Sequence, residues 1–187
     1  MFRKVFLLIA VCVVLCCSCK KNEKKVAEGG EMEMADIELN SSVFSQDGMI
    51  PSKYTCDGQN ISPQLSWEAV PENTQSIALI ADDPDAPSGT FVHWVLFNLP
   101  EETREISENV PREKTLHDGA SQGINGFGKI GYGGPCPPSG THRYYFKIYA
   151  LDKKLELDPG ANKTMLLDAM QGHILGKGQL MGKYKRQ

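Results

Sequence analysis

The chain has 187 residues, 41 % of them hydrophobic, with 20 Lys and Arg against 23 Asp and Glu and a net charge of −3 with neutral histidines. That balance provides no basic field for nucleic acid. Any anion the protein binds has to be held by local groups, because the overall field repels it.

Arg3 and Lys4 precede an apolar run from Val5 to Leu15, eleven residues in all. At about 1.5 Å per residue the run reaches roughly half the hydrocarbon thickness, so it reads as a signal-peptide core and not a spanning helix. The stretch VVLCCSCK then places small residues before Cys19 and resembles the lipobox of bacterial lipoproteins, whose cysteine becomes the lipid-modified first residue. Cys19 is the expected lipidation site, with Cys16 and Cys17 as rivals; an ordinary secretory signal with incidental cysteines is the alternative. The expectation is a signal peptide over 1–18 and a protein lipid-anchored in the bacterial cell envelope, on the periplasmic side or at the outer membrane. Loss of Arg3 and Lys4 with that segment leaves 18 basic against 23 acidic side chains, a net of −5.

Residues 19–35 carry mixed charge, two glycines and no aromatic side chain, too little apolar surface to fold, and read as a flexible tether. Residues 36–187 are long enough for one domain with an adequate core. Two cysteines remain there, Cys56 in YTCDG and Cys136 in GGPCPP. Outside the cytoplasm they form either a disulfide or two free buried thiols.

Within the domain the pattern is mostly strand. Weak strands are expected over Asp36 to Phe44 and Gln64 to Trp67. SIALIAD (Ser76 to Asp82) and FVHWVLFNL (Phe91 to Leu99) are nearly continuous apolar runs bounded by Pro, Gly and Asp, as in central strands covered on both faces. In RYYFKIYAL, alternation puts Tyr144, Phe146, Ile148 and Ala150 on one face and Arg143, Tyr145, Lys147 and Tyr149 on the other. Several short strands with turns between them point to antiparallel sheets packed face to face. Met165, Leu166, Ala169, Met170, His173 and Ile174 recur at helical spacing and predict one helix from Lys163 to Leu175, ended by Gly176. The glycine-rich segment Asp118 to Gly140 is too long for a hairpin, and ordered loops of that length are more often functional than plain connections.

Three pieces can carry chemistry: DDPDAP after a buried strand, His93 inside one, and PCPPSGTHRYY, in which His142 opens another. Simple alternation places His93 with Val95 and Phe97, and Val92, Trp94 and Leu96 on the opposite face. Singly these signals are ordinary: a histidine in a strand is usually a satisfied core residue, and Asp-Pro usually marks a turn. Together they put two imidazoles, paired carboxylates and a Gly/Pro loop at strand ends. No metal-type HExxH spacing occurs, and neither Ser88 nor Ser139, the serines beside these motifs, sits in a GxSxG elbow, which weighs against a hydrolase. His117 and His173, in a polar loop and on the helix, are assigned to no site.

DDPDAPSGTFVHW and GYGGPCPPSGTHRYYFKIYALD, with YTCDGQNISPQLSW upstream and AMQGHILGKGQLMGKY downstream, resemble the phosphatidylethanolamine-binding protein (PEBP) family, nearest its bacterial Raf kinase inhibitor-like branch. The resemblance implies a mainly β fold of two antiparallel β-sheets with a few peripheral helices, and a small pocket for phosphate-like anions. Carried over by position, that pocket comprises Asp83, Pro87, His93, Pro137, His142 and Tyr144, with Asp85 and Arg143 in support and Gly133 and Gly134 in the wall. The implied protein is a non-enzymatic binding module for a small phosphorylated or anionic ligand, with no metal and no cofactor. A protein-interaction module or enzyme inhibitor using the same rim is the alternative, a hydrolase the third, and a homodimer is compatible with all of them. Phe91 and Val92 stand where eukaryotic members carry tryptophan and histidine, which argues against phosphatidylethanolamine itself as the ligand.

Overall fold

The computed structural model describes residues 34–187; the expected signal peptide, Cys19 and the tether up to residue 33 lie outside the described residues. The elements in order are β1 (Ala35–Asp36), β2 (Leu39–Asn40), β3 (Leu65–Trp67), β4 (Ser76–Asp83), β5 (Phe91–Leu99), β6 (Glu105–Ile106), β7 (Ser121–Gln122), β8 (Thr141–Leu151), α1 (Lys163–Met170) and β9 (Ile174–Lys185). A six-stranded sheet runs β1-β9-β8-β4-β5-β7 and a three-stranded sheet runs β2-β3-β6. Two sheets and a mainly β chain agree with the expected fold. The larger sheet is not wholly antiparallel, because β1 pairs with β9 in parallel.

The core lies in two layers on either side of the large sheet. Between the sheets, Leu39, Leu65, Trp67 and Ile106 meet Ile77, Leu79, Leu96, Phe146 and Ile148. On the outer face, Ala78, Ile80, Val95 and Phe97 pack under Leu166 and Met170 of α1 and under Leu155 and Ala161. β4 is therefore buried along its whole length, which is why its sequence is apolar without alternation. Asp82 ends the outer layer, fully buried and neutralised by Lys147 at 2.8 Å and Lys163 at 2.5 Å. Such a buried carboxylate would be strongly destabilising without those partners.

The expected strand over Asp36 to Phe44 is broken into β1 and β2, which belong to different sheets. The chain crosses between the sheets at Ile37, whose carbonyl oxygen lies where a Cβ on Gly178 would stand. The helix is shorter than expected and does not include His173. It begins at Asn162, whose side chain accepts from the Met165 N–H at 3.0 Å, and stops at Met170. Gly172, with φ of 76°, turns the chain, and the His173 ring in that turn donates from Nδ1 to Asp152 at 2.8 Å. Ile174 and Leu175 fall at helical spacing but open β9. This strand was illegible because three of its core-facing positions, Gly176, Gly178 and Gly182, lack side chains. Pro71, Ile37, and Ile50 with Phe44 occupy the space that side chains there would take.

Candidate functional site

The ends of three neighbouring strands meet at one edge of the large sheet: the end of β4, the start of β5 and the start of β8. Asp83, His93, His142 and Tyr144 are all buried there. Asp83 and Tyr144 reach the inter-sheet side by ordinary alternation. His93 does so by a bulge. Ala81 pairs with Trp94 but Asp82 pairs with Val92, so His93 is the extra residue on β5. A bulge reverses the parity of everything before it. Val92 is thereby turned toward the outer layer with Val95 and Phe97, and His93 packs against Tyr144 at 5.2 Å between ring centroids. The face assigned to His93 by alternation is corrected accordingly.

A cavity of about 190 Å³ opens at this edge, with His93, His142 and Asp83 in its lining. Pro87 and Ala86 form one side, Cys136, Pro137 and Pro138 another, and Phe91 and Phe127 complete it. Five of the nine residues expected at the pocket thus line one cavity: Asp83, Pro87, His93, Pro137 and His142. The other four stand just outside its lining. Gly133 and Gly134 line a neighbouring recess of about 90 Å³. Asp85 binds Arg143 through three hydrogen bonds, from the backbone N–H and Nε at 2.9 Å each and from Nη2 at 2.6 Å. Tyr144 packs against His93, its buried hydroxyl without a hydrogen-bond partner among the described residues. Larger hollows elsewhere, of about 490 and 410 Å³, contain none of these residues.

Each histidine is committed through one nitrogen. Nδ1 of His93 lies 2.6 Å from the Gly133 carbonyl oxygen, which can only accept, so this nitrogen carries the proton. Nδ1 of His142 lies 2.7 Å from Asp83 Oδ2 and donates to it. The second oxygen of Asp83 accepts from the Asp85 N–H at 2.8 Å, so the carboxylate is held on both sides. Nε2 of each ring makes no hydrogen bond among the described residues. Burial pushes the His93 pKa below its usual 6.5, outweighing the Gly133 carbonyl and the Asp83 charge, which act the other way. Burial, with Asp83 beside it, raises the Tyr144 phenol above its ordinary value, so its hydroxyl stays a donor. The Arg143 guanidinium holds Asp85 down to about 2.

Phe127 was not anticipated, although an aromatic side chain alone among Gly123, Gly126, Gly128 and Gly131 was a signal. Asn125 sets its place: the buried side-chain oxygen accepts from the Phe127 N–H at 2.9 Å and the Lys129 N–H at 3.2 Å, closing a tight turn. A Cβ on Gly133 would come within 2.6 Å of the ring, so a side chain at that position would push Phe127 from its place. Cys56 and Cys136 form a disulfide with 5.4 Å between Cα atoms. Among the described residues no three His, Cys, Asp or Glu side chains converge as a metal site.

A two-sheet domain with one small, polar-floored cavity at a strand-end edge defines a binding module. A profile of the phosphatidylethanolamine-binding protein family matches residues 40–185, and the chain belongs to that family. It is 55 % identical over 150 residues to a UPF0098 protein of Methanothermobacter thermautotrophicus, covering 80 % of this chain and 99 % of that one. With a UPF0098 protein of Aquifex aeolicus it shares 48 % over 168 residues, covering 88 % and 95 %. The crystal structure of a PEBP homologue from Chlamydia trachomatis superposes with a TM-score of 0.75 at 41 % identity, covering 81 % and 99 %. YbcL of E. coli, described as a member of the mammalian PEBP family, gives 0.76 at 30 % identity, covering 82 % and 100 %.

Proposed function

We propose that this chain binds a phosphate group, or a small anion of similar shape, in the cavity between His93 and His142, and that it works outside the cytoplasm, tethered through lipid on Cys19. One observation carries the ligand reading: two imidazoles line one cavity, each with Nδ1 spent inside the protein and Nε2 unspent. At about 190 Å³ the cavity falls below the roughly 300–1,000 Å³ of sites for drug-sized ligands, and suits a headgroup or ion.

The protonation chemistry follows from the two Nδ1 bonds. In a neutral ring with hydrogen on Nδ1, Nε2 presents a lone pair, which repels a fully ionised anion. Binding succeeds if the guest brings its own O–H, as a phosphomonoester monoanion does, or if an imidazole takes up a proton at Nε2. In the second form the Asp83 carboxylate, 2.7 Å from Nδ1 of His142, is at hand as the countercharge. The aspartate then orients and neutralises and does not repel. The Tyr144 hydroxyl beside them is an unspent donor.

Sulfate separates the two routes, since its charge is constant between pH 5 and 8.5. If an imidazole is protonated on binding, sulfate affinity falls as pH rises, and calorimetry reads the loss directly. A flat or rising profile excludes the imidazolium. His142→Ala and His93→Ala each weaken binding by roughly tenfold to a hundredfold, the weight of a hydrogen bond to a charged group. For the anchor, cells producing the chain should incorporate labelled fatty acid into it, and Cys19→Ala should remove the label. Label that persists in this variant refutes Cys19 as the site and points to Cys16 or Cys17.

A further inference from the structure

The cavity has a charged neighbour. The recess of about 90 Å³ beside it is lined by Arg112 and Lys129 and by no carboxylate. Neither cation forms a salt bridge among the described residues. Both are positioned from behind. Arg112 Nη2 donates to the Asn60 carbonyl at 2.5 Å, and Lys129 closes the Asn125 turn, its carbonyl accepting from the Asn125 N–H at 2.8 Å.

Recess and cavity adjoin each other on either side of Phe127. Phe127 lines both, and the disulfide joins them, with Cys56 in the recess and Cys136 in the cavity. Gly133 lines the recess while its carbonyl holds His93 in the cavity. The Phe127 ring is 46 % exposed, so it is a partition between two open spaces and not a core side chain. In a chain with an excess of acid, two unpaired cations facing a hollow next to an anion site are an uncompensated local charge.

We propose that the recess is a second anion subsite, resting on the reading of the cavity given above. The ligand class is then a small molecule with two anionic groups on a short scaffold. One group sits at His93 and His142, and the other lies across Phe127 between Arg112 and Lys129. Linking the groups makes the second contact intramolecular, so affinity rises beyond that of either group alone.

The test is calorimetric titration of the protein with propyl phosphate and with propane- and pentane-1,n-diol bisphosphates, at a pH where the monophosphate binds. At least one bisphosphate is expected to bind about tenfold or more tightly than propyl phosphate, the scale of an added charge-assisted contact. Arg112→Gln with Lys129→Gln should erase that advantage and leave propyl phosphate affinity unchanged, with thermal denaturation confirming that the fold survives loss of the Arg112 bond to the Asn60 carbonyl. Equal affinity for mono- and bisphosphates, or an advantage that survives the double substitution, overturns the subsite and leaves the cavity reading intact. No binding of propyl phosphate at any pH from 5 to 8.5 overturns both.

Discussion

His93 combines a buried ring, a spent Nδ1 and a free Nε2, and the linkage between its proton and the fold has a definite sign. Burial lowers its folded pKa below 6.5. The unfolded chain, with an ordinary imidazole near 6.5, then takes up this proton at a higher pH than the folded chain does. The stabilisation is complete above that unfolded value and is lost as pH falls below it. His93→Gln, which keeps a donor for the Gly133 carbonyl, should therefore flatten the acid side of the stability curve when urea midpoints are compared from pH 8 down to pH 5. Sulfate bound to a protonated site acts in the opposite sense, so it should raise the wild-type midpoint most at pH 5. A larger effect of sulfate at pH 8 would contradict this coupling. Asp85 plays no part in that window. Held down to about 2 by Arg143, it is ionised throughout, and its stabilising effect is lost only as pH falls from about 4 toward 2.

At the scale of elements, two bulges in β5 decide what the strand presents. The first turns His93 into the site. The second lies at Asn98, between the pairs Ile77–Leu99 and Leu79–Leu96, with φ of 58°. Asn98 takes the left-handed conformation and uses its amide as a substitute for a missing strand neighbour, donating to the Leu155 carbonyl at 2.9 Å and accepting from the Leu155 N–H at 2.8 Å. Asn98→Gly keeps the backbone but loses both bonds, for about 1–3 kcal/mol. Asn98→Ala adds about 1 kcal/mol of left-handed strain and should be the less stable of the two by urea denaturation. Equal midpoints would mean that φ carries no cost there. These bulges also mark where reading by alternation fails. Strand limits were visible in β5 because apolar runs and turn residues are local signals. The face of His93 was not, because a bulge depends on pairing with β4. β9 escaped for the related reason that its inner surface is glycine beneath chain from Ile37 to Ile50. Gly178→Ala, which would drive a Cβ into the Ile37 carbonyl oxygen, should detach β1 from β9 and speed amide exchange at Ile37, whose N–H bonds the Lys177 carbonyl at 2.8 Å.

For the molecule as a whole, the site is where the long loop after β7 is fastened to the segment before β3. The residue types of the cavity were legible because Asp83, His93, Pro137 and His142 lie in short motifs at strand ends. Phe127, Arg112 and Lys129 were not, because only folding brings Arg112, from before β7, to the turn that carries Phe127 and Lys129. The Cys56–Cys136 bond closes a separation of 80 residues, which on the chain-entropy account contributes about 4 kcal/mol by restricting the unfolded chain. Against a total stability of roughly 5–15 kcal/mol for a domain, that is a large share. The cavity wall has independent fastenings across the same gap. The Cys56 N–H bonds the Pro135 carbonyl at 3.0 Å, the Gly134 N–H bonds Asn60 Oδ1 at 2.7 Å, and the Tyr132 hydroxyl bonds the Tyr54 carbonyl at 2.8 Å. At about 1 kcal/mol net each, these should hold the loop in the folded state without the covalent link. Replacing both cysteines by serine is thus expected to cost several kcal/mol in urea denaturation, yet to change anion affinity by less than about threefold at temperatures where the variant stays folded. A much larger fall in affinity would mean that the disulfide itself shapes the cavity, and a reducing environment would then switch off binding before it unfolds the domain.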